Sequence, residues 1–246
     1  LAGSVEPRTR YRNGYQSIED ASQFEPVTKA SLMVDSVTRL PDLVRQAFRH
    51  ATSGAPGPVH LGLQGRIGIV IDDPLDDEGL VEDRYATVPA FRPQPEPNDV
   101  KAVLDALEKA ERPILVAGGG VTTSRANEEL VAFATKMSIP VATSLNAKHV
   151  IPDGHPLAVG VIGTYSRKCA NQSVAESDLV IFIGSHTGGQ TTFEWNIPRQ
   201  GANVIQIDID PAELGRNYPN SVSVLGDAKA TLQALIDMAG KPAGYS

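Results

Sequence analysis

Apolar residues recur along this chain in two periods, and the places where the period changes divide it. Val44, Ala47, Phe48 and Ala51 repeat at i, i+3, i+4 and i+7, the spacing of one helical face, and Pro41 stands where a first helical turn accepts it. Ser53-Gly54-Ala55-Pro56-Gly57-Pro58 ends that helix, and Val59-His60-Leu61-Gly62-Leu63 then alternates as a short strand. From Asp72 to Asp83 acidic residues cluster with Gly and Pro, and Pro89, Pro93, Pro95 and Pro97 make the next stretch extended and poor in backbone donors. The pattern predicts a partial α/β domain over residues 1–64, a linker over 65–97 with a solvated acidic run, and a regular region over 98–239.

The regular region alternates helix and strand. Asn98 can cap a helix whose face is Val100, Val103, Leu104 and Leu107, and Pro113-Ile114-Leu115-Val116-Ala117 is a near-continuous apolar strand running into three glycines. A helix from about Ser124 presents Leu130, Phe133, Ala134 and Met137, then Ile139-Pro140-Val141-Ala142-Thr143 is extended. A helix near Ala170 to Glu176 precedes the strand Leu179-Val180-Ile181-Phe182-Ile183-Gly184. Two more strands, Val204 to Asp210 and Val222 to Val224, lead to a last helix that Asp227 can cap. Strands apolar on both faces need helices on both faces. The expected fold is therefore α/β, a doubly wound, mostly parallel Rossmann-like sheet of five or six strands.

Composition narrows the chemistry. The formal net charge of -7 leaves no basic excess to neutralise phosphates, which argues against nucleic acid. Cys169, the single cysteine, excludes an internal disulfide and a thiolate metal cluster; it reads as a small buried residue, and a reducing cytoplasm is the expected compartment. The sequence holds no apolar run of membrane-spanning length, so no membrane partner is expected.

Ligands of such sheets bind beyond the carboxyl ends of the strands. That rule selects a rim of Gly118, Gly119 and Gly120, then Thr143 and Ser144, then Ser185, His186 and Thr187, and finally Asp208 and Asp210. Glycines admit close backbone approach to a phosphate or ring, and a carboxylate at a strand end can accept from ribose hydroxyls, so a nucleotide suits the rim. The alternative is a rim whose glycines only make turns. Neither a spaced dinucleotide fingerprint nor a lysine-bearing phosphate loop is present. The histidines His50, His60, His149, His155 and His186 lack metal-ligand spacing, so no metal site is expected, and His186 is the best placed for a ligand. Phe193 and Trp195 read as residues covering the sheet.

Several segments then carry a likeness. Gly14-Tyr15-Gln16-Ser17-Ile18-Glu19-Asp20 followed by Phe24 and Pro26-Val27-Thr28-Lys29, and Ala51 through Leu61 around Gly54-Ala55-Pro56-Gly57-Pro58, resemble the close of the first domain of acetolactate-synthase-like thiamine-diphosphate enzymes. Gly154-His155-Pro156-Leu157 with Gly160 and Gly163, Ser177-Asp178-Leu179, Ile207 through Gly215, and Gly226-Asp227-Ala228-Lys229 follow that family's central domain in order and spacing.

The resemblance implies that residues 1–64 are the C-terminal part of a pyrimidine-binding domain and 98–239 the central domain. It implies a parent enzyme with thiamine diphosphate and Mg2+, acting on a 2-oxoacid or acyloin and working as a homodimer or homotetramer. The activating glutamate and the diphosphate-and-magnesium motif are expected in segments outside this chain, so the chain alone is expected to be inactive. Gln16 matches a family glutamine that faces the cofactor-bound intermediate. Some members bind FAD or an adenine nucleotide on the central domain. Here Ser185-His186-Thr187-Gly188-Gly189 replaces the arginine- and aspartate-rich stretch of the flavin-binding members, which counts against flavin. The alternatives are another 2-oxoacid decarboxylase or acyloin lyase of the same family, or a stand-alone nucleotide-binding or regulatory module derived from it.

Overall fold

The computed structural model describes residues 1–65 and 82–240, apart from the side chain of Pro7. The chain divides into two compact units, Leu1–Phe91 and Arg92–Ser246. Residues 72–81 of the predicted acidic linker lie outside the described residues.

In the first unit, β1 (Ala2–Ser4), β2 (Ser31–Val34) and β3 (His60–Gln64) form a parallel sheet in the order β1-β3-β2. Among the described residues two α-helices accompany it, α1 (Asp20–Phe24) and α2 (Leu40–Thr52). Among the described residues its apolar core cluster is small: Val34, Leu43 and Leu61, with Leu32, Leu40, Val44 and Leu63 packed around them. Helix α2 thus turns the stripe of Leu40, Leu43 and Val44 inward. Phe48, which the periodicity puts on the buried face, lies about 100° around the helix from Ala47 and is 55% exposed. Residues 82–91 pack with this unit, where Ala90 N–H donates to the Thr52 carbonyl and Arg49 pairs with Glu82.

The second unit contains α3 (Pro97–Leu107), β4 (Pro113–Ala117), α4 (Gly119–Ser124), α5 (Asn127–Met137), β5 (Val141–Thr143) and β6 (Ala158–Val161). These are followed by α6 (Lys168–Glu176), β7 (Leu179–Ile183), β8 (Asn203–Asp208), β9 (Val222–Leu225) and α7 (Ala228–Met238). Its six strands are all parallel, in the order β6-β5-β4-β7-β8-β9, so the winding direction reverses between β4 and β7. Alternate strand residues feed two cores. Leu115, Ala117, Ile181, Ile183, Ile205 and Ile207 meet α3, α5 and α7 on one face. Ile114, Val116, Val180, Phe182 and Val204 meet Ala170 and Val174 of α6, with Ile197 and Tyr218, on the other.

Local details depart from the sequence reading for identifiable reasons. Pro97 opens α3 after Glu96, and no side chain caps it, so Asn98 is not the cap but lies inside the first turn, which begins at the proline whose fixed φ suits that position. Gly119 and Gly120 begin a helix rather than staying in a loop. Strand β6 went unread because it is an edge strand whose Gly160 takes a φ of 101° beside a register shift. Cys169 is exposed, because α6 buries Ala170 and Val174 instead. Phe193 and Trp195 are exposed too, on a turn where residues 193–195 all have left-handed backbone. Asp227 does cap α7, accepting from Ala230 N–H.

Candidate functional site

The carboxyl ends of β4, β5, β7 and β8 bring the candidate rim residues of the second unit together. At the reversal point the backbone closes on itself. Gly118 N–H donates to the Ile183 carbonyl at 2.8 Å and Gly120 N–H to the Gly184 carbonyl at 2.9 Å. Gly184 has φ of 58°, the left-handed region in which a side chain is strained. The space that Gly118 and Gly120 leave free is therefore filled by the protein's own chain. Gly119 faces the Asn146 side chain at ordinary contact distance.

Next to it, Ser144 N–H donates to the Ala117 carbonyl and the Thr143 carbonyl accepts from Ile162 N–H, which fixes the end of β5 between its neighbours. The Ser144 hydroxyl is buried and has no hydrogen-bond partner among the described residues. Beyond β7, the loop is held by amide side chains. Gln206 Nε2 donates to the Ser185 carbonyl at 3.0 Å while its Oε1 accepts from Gly215 N–H at 3.0 Å. Asn217 Nδ2 donates to the carbonyls of His186 and Thr187 and to the Thr187 hydroxyl. Thr187 is buried with φ of 50°, and His186 is left at the surface. The loop then reaches the end of β6, where Thr164 N–H donates to the Gln190 carbonyl and Asn171 of α6 grips both the N–H and the carbonyl of Gly163.

At the end of β8, Asp208 is buried and accepts from Asp210 N–H at 3.0 Å. Burial pushes its carboxyl above the ordinary carboxylate range, against the pull of the Asp210 amide and of nearby His186. Asp210 spends one oxygen on Ala212 N–H, starting the turn after the strand. Gln16 belongs to the first unit, exposed in left-handed backbone at φ of 57°, in a turn where Ser17 N–H donates to the Gly14 carbonyl.

The donor set decides what these residues can hold. Among the described residues no group of three His, Cys, Asp or Glu side chains could hold a metal ion. Asp227 has both oxygens committed, one to Arg92 and Ala230 N–H and the other to Ser124, so Gly226-Asp227 does not offer a magnesium ligand. The described residues therefore do not fit thiamine diphosphate with its metal. For a nucleotide, the glycine segment does not fit as a diphosphate cradle, since Gly184 occupies it. The Ser144 hydroxyl and the Asp208 carboxylate fit polar contacts to a sugar. Residues that the sequence reading missed are Gln206, Asn217 and Asn171. Gln206 had a signal, being the one polar residue amid the apolar run 204–207; the other two look like ordinary surface amides. Among the described residues no helix is long and apolar enough to cross a membrane.

Comparison with known proteins agrees with this architecture. The family described as thiamine pyrophosphate enzyme, central domain, matches residues 100–235. The chain is 35% identical over 238 residues to a probable acetolactate synthase large subunit of Methanocaldococcus jannaschii, covering 96% of this chain and 40% of the relative. It is 33% identical over 243 residues to the acetolactate synthase large subunit of Corynebacterium glutamicum, covering 96% and 37%. A glyoxylate carboligase of Escherichia coli O157:H7 is 30% identical over 235 residues, covering 95% and 39%. The chain thus spans about two fifths of the length of these curated relatives. With more than half of its residues inside the family match, the chain belongs to the thiamine pyrophosphate enzymes and carries their central domain.

Proposed function

We propose that this chain is part of a larger thiamine-diphosphate-dependent enzyme that makes or breaks a carbon–carbon bond next to a carbonyl, with a 2-oxoacid or acyloin as substrate. The observation that carries the reading is one of extent. Relatives named acetolactate synthase and glyoxylate carboligase align along 95 to 96% of the chain, through both units, while the chain supplies 37 to 40% of their length. Residues 1–64 are read as the close of a pyrimidine-binding domain, 65–97 as a connection, and 98–239 as a scaffold. Thiamine diphosphate, when bound with Mg2+, supplies the carbanion that adds to a carbonyl and takes up the electron pair released on cleavage.

The chain's own contribution is positional. Gln16, exposed on its left-handed turn, offers an amide that can donate to or accept from a substrate oxygen. On the rim, the unpartnered Ser144 hydroxyl and buried Asp208 support a nucleotide contacted through its sugar, and the closed glycine segment weighs against a tightly cradled flavin diphosphate. The parent works as a homodimer or homotetramer in the cytoplasm, and this chain alone has no turnover.

Calorimetric titration tests the assignment. The purified chain is expected to give no binding heat with thiamine diphosphate and Mg2+, and heat with an adenine nucleotide if the rim is occupied. Tight thiamine diphosphate binding by this chain would refute the reading. The intact parent is expected to release carbon dioxide from 2-oxoacids only when thiamine diphosphate and Mg2+ are both supplied.

A further inference from the structure

We infer that Asp20, His60 and Ser31 form a hydrogen-bonded relay inside the first unit that positions the turn carrying Gln16. Two buried polar atoms there lack hydrogen-bond partners, Asp20 Oδ2 and His60 Nε2, and they face each other at 3.6 Å. A carboxylate oxygen and a ring nitrogen left unpaired in the interior are costly, and a few tenths of an ångström of approach lets each satisfy the other. That pairing puts the ring proton on Nε2. The other ring nitrogen, Nδ1, is then an acceptor, and the Ser31 hydroxyl stands 2.8 Å from it. Ser31 is also 3.2 Å from the Ala21 carbonyl, a longer contact that takes the lesser share of its single proton.

The surroundings are built for this arrangement. Ser4 donates its hydroxyl to Asp20 Oδ1 at 2.8 Å, and Phe24 stacks on the imidazole with ring centres 4.2 Å apart, fixing its plane. A methyl group on Gly62 would lie 3.2 Å from Asp20 Oδ2 and 2.6 Å from Met33 Sδ, so the glycine leaves room for the carboxylate. Strand alternation puts His60 and Gly62 on the face of α1, opposite Leu61 and Leu63, which pack with α2. The charged residues of α2, Asp42 and Arg45 among them, therefore lie across the sheet. Among the described residues, Asp20 is the charged group that meets the ring, from α1; β1 and β2 meet the cluster with the neutral hydroxyls of Ser4 and Ser31.

The cluster thus ties all three strands to α1, β2 and β3 through His60 and β1 through Ser4 on Asp20. Asp20 is the first residue of α1, four positions after Gln16, and the intervening Glu19 pairs with Arg10. The apolar cluster of Val34, Leu43 and Leu61 is small among the described residues of this unit, so the polar relay supplies much of the order of α1 and of the turn before it. His60 and Asp20 are positioning residues. Their bearing on catalysis rests on the proposed function; their bearing on the turn does not.

Nitrogen-15 NMR of the histidine-labelled chain reads the relay directly. The expected form of His60 is the Nε2–H tautomer, with Nδ1 as acceptor and a ring proton slow to exchange, and Asp20→Asn is expected to change that pattern. Hydrogen exchange at the amide of Ser17, which donates to the Gly14 carbonyl, reads the turn. His60→Gln keeps a donor at the reach of Nε2 and is expected to retain slow exchange. His60→Asn ends near Nδ1 and is expected to speed exchange about tenfold. An Nδ1–H tautomer, or equal exchange in the two variants, would overturn the proposal. If a variant fails to fold, the tautomer in the unsubstituted chain decides alone. Failure of the assigned enzyme function, read by the thiamine diphosphate titration, would leave the tautomer and exchange results unchanged.

Discussion

A methyl group placed on Gly118 would sit 2.2 Å from the carbonyl oxygen of Gly184, and one placed on Gly184 would sit 2.6 Å from the Cα of Gly120. Two loops from opposite sides of the winding reversal are thus in backbone contact. Glycine is required at these positions by the chain itself, before any ligand is considered.

Gly118→Ala is expected to destabilise the second unit by about 3 kcal/mol, the upper end of the usual cost of overpacking, because the backbone it meets cannot yield. Gly119→Ala adds a methyl at ordinary contact in a helix and is expected to fall within about 1 kcal/mol of the parent. Urea midpoints of the two variants compare them. Equal midpoints would mean the close approach is not limiting.

Asp227 joins distant parts of the second unit. It accepts from Arg92 Nη1 at 2.9 Å, from the Ser124 hydroxyl at 2.7 Å and from Ala230 N–H at 3.1 Å, while its own N–H donates to the Pro93 carbonyl. Asp227→Ala removes a cap, leaves the Ser124 hydroxyl without its acceptor and takes the charged partner from Arg92, which keeps its bonds to Ser124. A loss of about 3 kcal/mol is expected in denaturant unfolding. Asp227→Asn keeps one acceptor oxygen and is expected to lose less.

Asp208 sets a pH dependence of definite sign. Burial raises its carboxyl in the folded state above the value in the unfolded chain, so between the two values the folded state binds more protons. Stability from this group is present in acid and falls as pH rises through the usual carboxylate range and the raised one. Asp208→Asn removes that dependence and retains an acceptor for Asp210 N–H. The variant is expected to gain stability relative to the parent at neutral pH, and to lose the advantage on acidification. Thermal midpoints measured from acid to neutral pH check it.

The turn at residues 193–195 holds Phe193, Glu194 and Trp195 at φ of 50°, 55° and 58°. Left-handed backbone costs an L-residue roughly 1 kcal/mol or more, and Glu194 is exposed, so Glu194→Gly is expected to raise stability by about 0.5 to 1 kcal/mol. Trp195 is the chain's single tryptophan and lies against Gly189, so its fluorescence reports this turn without interference. Emission of a half-exposed indole, unchanged in the variant, is the expected companion result.

The second unit was legible wherever packing has a simple period. Leu179 to Ile183 is apolar on both faces because helices cover both, and the helix faces of α3 and α5 appear as their 3.6-residue stripes. What escaped reading has physical causes. Strands β1, β2 and β6 are edge strands of three or four residues, too short for a period to declare itself. The closure at Gly118 and Gly184 depends on two loops separated by more than sixty positions in the chain, which no local pattern encodes. The rim residues were placed by a rule about strand ends, and the rule carried no information on which donors the protein keeps for itself. In the first unit, His60 looked like one more polar position in a short strand; its relay needs Asp20 and Ser31, which only the fold brings to it.

The bond network at Asp227 also governs when the second unit can form. Arg92, near its beginning, is 135 positions from Asp227, and Ser124 is 103 positions from it. During synthesis every strand of the larger sheet can leave the ribosome before this clasp has its acceptor. A nascent chain ending short of residue 227 would carry the sheet with the side of α3 and α5 unsealed, so final consolidation waits for the last helix.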